Sequence, residues 1–245
     1  MASYQYTRGE APEPQQPPQP QAPMTKQQKW ENFWFYHKWH VIIALAAVVM
    51  VAMFVNDFVN RERPDYQIGV ITHGALPTGT LDTLEQQLAQ FADDRNGDGK
   101  VQVTLMQYDF PEDGDPNTIM ASTTRLSGDL EVGDCVFYLV DDVEYFQERF
   151  GFFAYNDGAR PPEEGPYEWD KMGVAWRDCP VLMQMDLGKV PTLGEGDAGD
   201  VQDVLQEFTL VKRIVQGSAI EKKEKVLAYL TDGEKLWDAI TAREG

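Results

Sequence analysis

"DYQIGVITHGALPTGTLDTLEQQLAQFADDRNGDGKVQVTLMQY", Asp65 to Tyr108, changes its hydrophobic period twice. In "DYQIGVIT" the residues Tyr66, Ile68 and Val70 alternate and Ile71 is apolar too, which is strand periodicity. After a Gly74–Pro77 turn, Leu81, Leu84, Leu88 and Phe91 recur at helical spacing. Asp82, with Glu85 three residues on, predicts the capped start of that helix. "KVQVTLMQY" then alternates again through Val101, Val103 and Leu105.

The same rhythm continues downstream. Asp115-Pro116 predicts a helix with proline in its first turn, its apolar face made by Ile119, Thr123, Leu126 and Leu130. "DCVFYLV" is a third, wholly apolar strand, and Asp141 with Glu144 predicts the cap of a short helix that Gly151 ends. Strand–helix–strand–helix–strand with buried strands implies an α/β fold, a mostly parallel sheet flanked by helices. Its core should contain Ile68, Val70, Val103, Leu105, Val136, Tyr138 and Val140. "MGVAWRD" and "PVLMQMDL" read as two further short strands. Val201, Val204, Leu205, Phe208, Val211 and Val215 form one helical stripe ended by Gly217. Ser218 with Glu221, and Thr231 with Glu234, each open another helix.

Upstream, "APEPQQPPQPQAP" carries almost no apolar side chains, so residues 1–25 are expected to be a disordered tail rich in proline and glutamine. An apolar run from Val41 to Val55 follows. At ~1.5 Å per residue it reaches only ~22 Å of a ~30 Å hydrocarbon core. The aromatic flank Trp34, Phe35, Tyr36 and Trp39, with Phe58 and Val59 on the other side, supplies the rest. Residues 26–60 therefore read as a juxtamembrane and transmembrane segment, the membrane helix lying at about 37–59. No small-residue cleavage site follows Val55, which favours an uncleaved anchor. Lys26, Lys29 and Lys38 precede the helix and Arg61 and Arg63 follow it. This small excess puts the N-terminus in the cytoplasm and residues 61–245 outside, with the reverse orientation still open.

Charge divides along the same boundary. The first sixty residues balance four basic against four acidic side chains. Residues 61–245 thus hold the whole net charge of −19, as 17 basic against 36 acidic. Such a surface repels phosphate backbones, so no nucleic acid is expected as partner. Cys135 and Cys179 can form a disulfide outside the cytoplasm or stay as two buried thiols. Gly-x-Ser-x-Gly, Walker, dinucleotide and His-Glu-x-x-His motifs are all lacking, and acid pairs carry no information in so acidic a chain.

Two places hold candidate binding residues. In "DDRNGDGKV", Asp94, Asn96 and Asp98 fall at positions 1, 3 and 5 of a calcium loop, Gly99 at 6 and the Lys100 carbonyl at 7. Position 12 is Leu105, where a bidentate Glu belongs, so a distant acid would have to complete a Ca2+ site. The competing reading is a helix-to-strand turn built on Asn-Gly and Asp-Gly. The second place is the row of strand ends, where His73, Tyr108, Asp109 and Asp141 can form one polar mouth. In open parallel sheets, ligands collect there.

"PDYQIGVIT", "RLSGDLEVGDCVFYLVDDVEYFQERFG" and "KEKVLAYLTDGEKLWDAI" resemble segments of extracellular solute-binding proteins, at about the size of one lobe. The calcium half-loop is similar to that of the galactose-binding type. With "KWENFWFYHKWH" in front, the chain resembles uncharacterised single-pass surface proteins of Gram-positive bacteria, a family that implies no activity. The expectation is a membrane-anchored, non-catalytic extracytoplasmic domain for a small-molecule ligand or an envelope protein partner. A transporter's solute-binding receptor and a cell-wall-acting enzyme are the alternatives.

Overall fold

The computed structural model describes residues 25–59, 63–74, 76–77, 79–189 and 199–242. The predicted tail lies outside them except for Thr25. The chain divides into two units, Met1–Arg61 and Glu62–Gly245.

The described residues of the first unit form one helix, α1 (Lys26–Val59), of which Lys26–Asn56 is long and apolar enough to cross a membrane. It starts eleven residues before the predicted 37, because "KQQKWENFWFY" contains neither Gly nor Pro to stop it. A reciprocal cap fixes the start: the Gln28 N–H donates to Thr25 Oγ1 (3.3 Å), and the Thr25 N–H donates to Gln28 Oε1 (3.0 Å).

The second unit runs β1 (Tyr66–Thr72), α2 (Thr80–Ala89), β2 (Val103–Asp109), α3 (Pro116–Val132), β3 (Tyr138–Val140), α4 (Val143–Phe150), β4 (Phe153–Ala154), β5 (Val174–Ala175), α5 (Pro180–Met183), α6 (Val201–Leu205), β6 (Thr209–Arg213) and α7 (Glu224–Thr241). The sheet order is β2-β1-β3-β6-β4, with β5 also paired to β6. β1 lies between β2 and β3 and is parallel to both, Tyr66 facing Val103 and Gly69 facing Tyr138. β6 is antiparallel to β3, β4 and β5, so the sheet is mixed.

Alternation along the strands separates two cores. Ile68, Val70, Val103, Leu105, Phe137 and Leu139 pack with α2, α5 and α7. Ile71, Tyr108, Tyr138, Val140 and Val211 pack with α3 and α4. All seven predicted core residues are buried. Burying ~30 Å² of each such apolar side chain contributes about 1 kcal/mol, so the two faces together are the main source of stability. The chain moves from β1 to β2 over one face and returns past β1 to β3 over the other. A reversal of direction needs that change of face when both crossovers have the same hand.

The sequence expectations need four corrections. First, the helical stripe from Val201 to Val215 is the short α6 followed by β6. Leu210 enters one core and Val211 the other, and a strand buried on both faces shows no alternation to distinguish it from a helix. Second, "MGVAWRD" gives only the two residues of β5 before a 3-10 turn. "PVLMQMDL" gives the helical turn α5 with Pro180 at its first position. Third, the residues from Ser218 form turns, and α7 runs unbroken through Thr231, whose hydroxyl donates to the Leu227 carbonyl (2.9 Å). Fourth, α2 starts behind Gly79, at φ 85°, so Asp82 sits inside the first turn.

Glu85 is accordingly not part of a cap. Its Oε1 accepts from the Leu105 N–H (2.7 Å), tying α2 to β2. Burial raises its carboxyl pKa, the bond from Leu105 opposes this, and Asp82 adds to the rise. A raised folded-state pKa favours the fold most below the unfolded carboxyl range, and that contribution is lost as pH rises through the folded value. Glu85→Gln keeps an acceptor for Leu105 and removes the buried charge. Urea unfolding should therefore show the variant gaining on wild type more at about pH 7 than at about pH 4. An equal gain at both would refute this account.

Candidate functional site

The order β2-β1-β3 places the topological switch point between the carboxyl ends of β1 and β3. The chain leaves these two strands toward opposite faces, and the crevice so formed is where open α/β sheets bind ligands. His73 follows β1 and Asp141 follows β3.

"VDDVEYF" sets the geometry. Asp142 is the N-cap of α4, its side chain accepting from the Tyr145 N–H (2.9 Å). This corrects the expectation that Asp141 caps α4, and it leaves Asp141 to turn across the crevice. Its Oδ2 accepts from the His73 N–H (2.7 Å) and lies 2.9 Å from the Thr72 hydroxyl. Its Oδ1 is 3.2 Å from His73 Nδ1. The Thr72 hydroxyl also faces the Gly74 carbonyl (2.8 Å) and accepts from the Gly74 N–H (3.1 Å). The His73 ring packs on Tyr145 and Phe146, each centroid 4.7 Å away. The His73 and Asp141 side chains remain about one-fifth exposed, at 20% and 21%.

A carboxylate on Nδ1 orients an imidazole and directs Nε2 to other partners. Asp109 ends β2 beside Thr72, with which it is in register, and its Oδ1 accepts from Gln107 Nε2 (2.6 Å). The structure thus brings His73, Asp109 and Asp141 to one edge of the sheet.

Tyr108 does not join them. Its side chain points into the core beneath α3, where its hydroxyl donates to Asp129 Oδ2 (2.7 Å) and lies 3.7 Å from Cys135 Sγ. Burial, then Cys135 and the Asp129 bond, push its pKa far up. Burial also pushes the Cys135 thiol up to about 12, so it is a core group rather than a nucleophile. Cys135 and Cys179 belong to different cores with the sheet between them and are not bridged to each other.

The Asp-rich loop is a turn in which its own side chains accept from its backbone. Asp94 accepts from the N–H groups of Gly97 (2.7 Å) and Gly99 (2.9 Å). Asn96 Oδ1 accepts from the Asp98 N–H (2.8 Å), and Asp98 Oδ1 from the Lys100 N–H (2.9 Å). Gly97 and Gly99 take φ 74° and 84°, as the turn reading requires. Among the described residues, no group of three or more His, Cys, Asp or Glu side chains converges as a metal site.

Asp65, which the sequence did not single out, anchors the loop. Almost fully buried, it accepts from the N–H groups of Asn96 and Gln102, both at 2.9 Å. Its place just before a strand was the only signal.

No family model matches the chain, and neither the curated proteins nor the solved structures compared with it include a match.

Proposed function

We propose that the chain is a membrane-anchored, non-catalytic domain that binds an envelope protein at the carboxyl edge of its sheet, with the N-terminus in the cytoplasm and residues 61–245 outside. One observation carries this reading: the His73–Asp141 pair stands at the switch point, about one-fifth exposed and oriented by Thr72, Tyr145 and Phe146. Such a pair presents an imidazole nitrogen beside the exposed Tyr145, and an aromatic next to a fixed polar group is the composition of a protein contact. A partner on the surface suits Glu62–Gly245 better than an enclosed solute, because these residues form one compact unit and a solute receptor needs a deep cleft. The apolar α1 suits an anchor.

Full-length tagged protein, cross-linked in intact cells and captured from detergent-solubilised membranes, tests the reading. Wild type should retain a partner that His73→Ala loses, and external protease should remove residues beyond about 61 while sparing the tail. Identical captures by both proteins would overturn the site, and shaving of the tail instead would reverse the orientation.

A further inference from the structure

The far end of β6 carries a buried positive charge, Arg213, whose hydrogen-bonding capacity is only partly used, although the Asp134 carboxylate feels its field. Arg213 is 6% exposed. Its Nη2 donates to the Leu130 carbonyl (2.5 Å), while Nε and Nη1 have no hydrogen-bond partner among the described residues. A guanidinium cannot shed its proton, and a buried cation without a partner is strongly unfavourable.

Arg213 forms part of the wall of an open cleft of about 310 Å³, together with Ser127, Leu130, Phe152, Arg160 and Ser218. A second hollow of about 140 Å³ adjoins it and shares Arg160. Arg160 is held in place, its Nη1 donating to the Gln216 carbonyl (3.2 Å). Gly217, at φ 75°, leaves room for it, since a Cβ there would stand 2.5 Å from Nη1. Lys223 adds a third cation, donating from Nζ to the backbone carbonyl of Glu131 at the same wall (2.7 Å). Three carboxylates oppose them, Asp134 acting on both Arg213 and Lys223. Glu131 lines the cleft, and Glu163 lies 3.6 Å from Arg160 but is 87% exposed, so water screens it. In a region with 17 basic against 36 acidic residues, this gathering of cations around one hollow is distinctive.

We infer that the cleft binds a small anion, a carboxylate or phosphate on a short apolar body. Arg160 meets the oxyanion, Arg213 supplies the charge behind it, and Leu130 and Phe152 contact the apolar part. The volume is at the lower end of the ~300–1,000 Å³ range of ligand pockets, which limits the ligand to metabolite size. β6 runs antiparallel to β3, so this cleft and the His73–Asp141 edge lie at opposite ends of the strands and the two proposals are independent.

Thermal unfolding of the full chain in detergent tests the inference, with inorganic phosphate or butanoate at about 10 mM against chloride at equal ionic strength. One or both anions should raise Tm by about 5 °C. Arg160→Gln, at the cleft's rim, should lose the rise, and so should Arg213→Met. Without anion, Arg213→Met should unfold no lower than wild type, because an apolar side chain of similar length removes the buried donors left unbonded. A rise with phosphate alone identifies a phosphorylated ligand, and a rise with butanoate identifies a carboxylate. No rise with either anion, or a rise that survives Arg160→Gln, overturns the proposal.

Discussion

Gly69→Ala lowers the unfolding free energy of the second unit by about 3 kcal/mol or more. Gly69 lies in the middle of β1 and faces Tyr138 on β3. A Cβ at this position would stand 2.2 Å from Tyr138 Cδ1 and 2.5 Å from Cε1. Contacts that short require movement, and neither side can move easily. The Tyr138 ring is fully buried and packs edge-on against Phe152 (centroids 5.2 Å apart), while β1 is hydrogen-bonded on both sides. Glycine ordinarily weakens a strand, so here its cost is offset by the ring that crosses it. Urea unfolding of Gly69→Ala, Tyr138→Ala and the double variant measures the effect. Tyr138→Ala alone should cost about 3–5 kcal/mol. If the clash is the cause, the double variant should be more stable than the summed losses predict, by at least ~1 kcal/mol. Strict additivity would refute the clash.

Gly69 also shows where sequence reading stops. An isolated glycine inside a strand pattern signals close approach, but the ring that approaches is known only from the register of β1 on β3. β1, α2, β2 and α3 were legible because each carries one clear period, and β3 because it is a short apolar run closed by Gly133-Asp134 and Asp141-Asp142. β6 was not, because burial on both faces removed its alternation and residues 206–208 hold no Gly or Pro to separate it from α6, and this error also hid Arg213. Its burial follows from β6 being a strand between β3 and β4.

The site divides in the same way. Strand ends placed His73, Asp109 and Asp141 at one edge, but an end position does not say which face a side chain takes. Tyr108, one residue earlier than Asp109, turns into the core for that reason. Asp141 and Asp142 are equally good caps on composition. Only the backbone decides that Asp142 caps α4 while Asp141 spans the crevice.

That division of labour makes Asp141→Ala the more damaging change at the site, with an expected loss of about 3 kcal/mol. Asp141 is the acceptor for the His73 N–H and the neighbour of both His73 Nδ1 and the buried Thr72 hydroxyl. Removing it leaves a backbone donor unmet and releases the segment after β1. Thr72 suffers less, since the Gly74 carbonyl still faces its hydroxyl. Asp141→Asn retains one acceptor oxygen for the His73 N–H and should lose only about 1 kcal/mol. Asp142→Ala costs a single N-cap bond, also about 1 kcal/mol. Chemical unfolding of the three variants should thus place Asp141→Ala well apart from the other two. Equal losses in Asp141→Ala and Asp142→Ala would reduce the pair at the switch point to an ordinary surface contact.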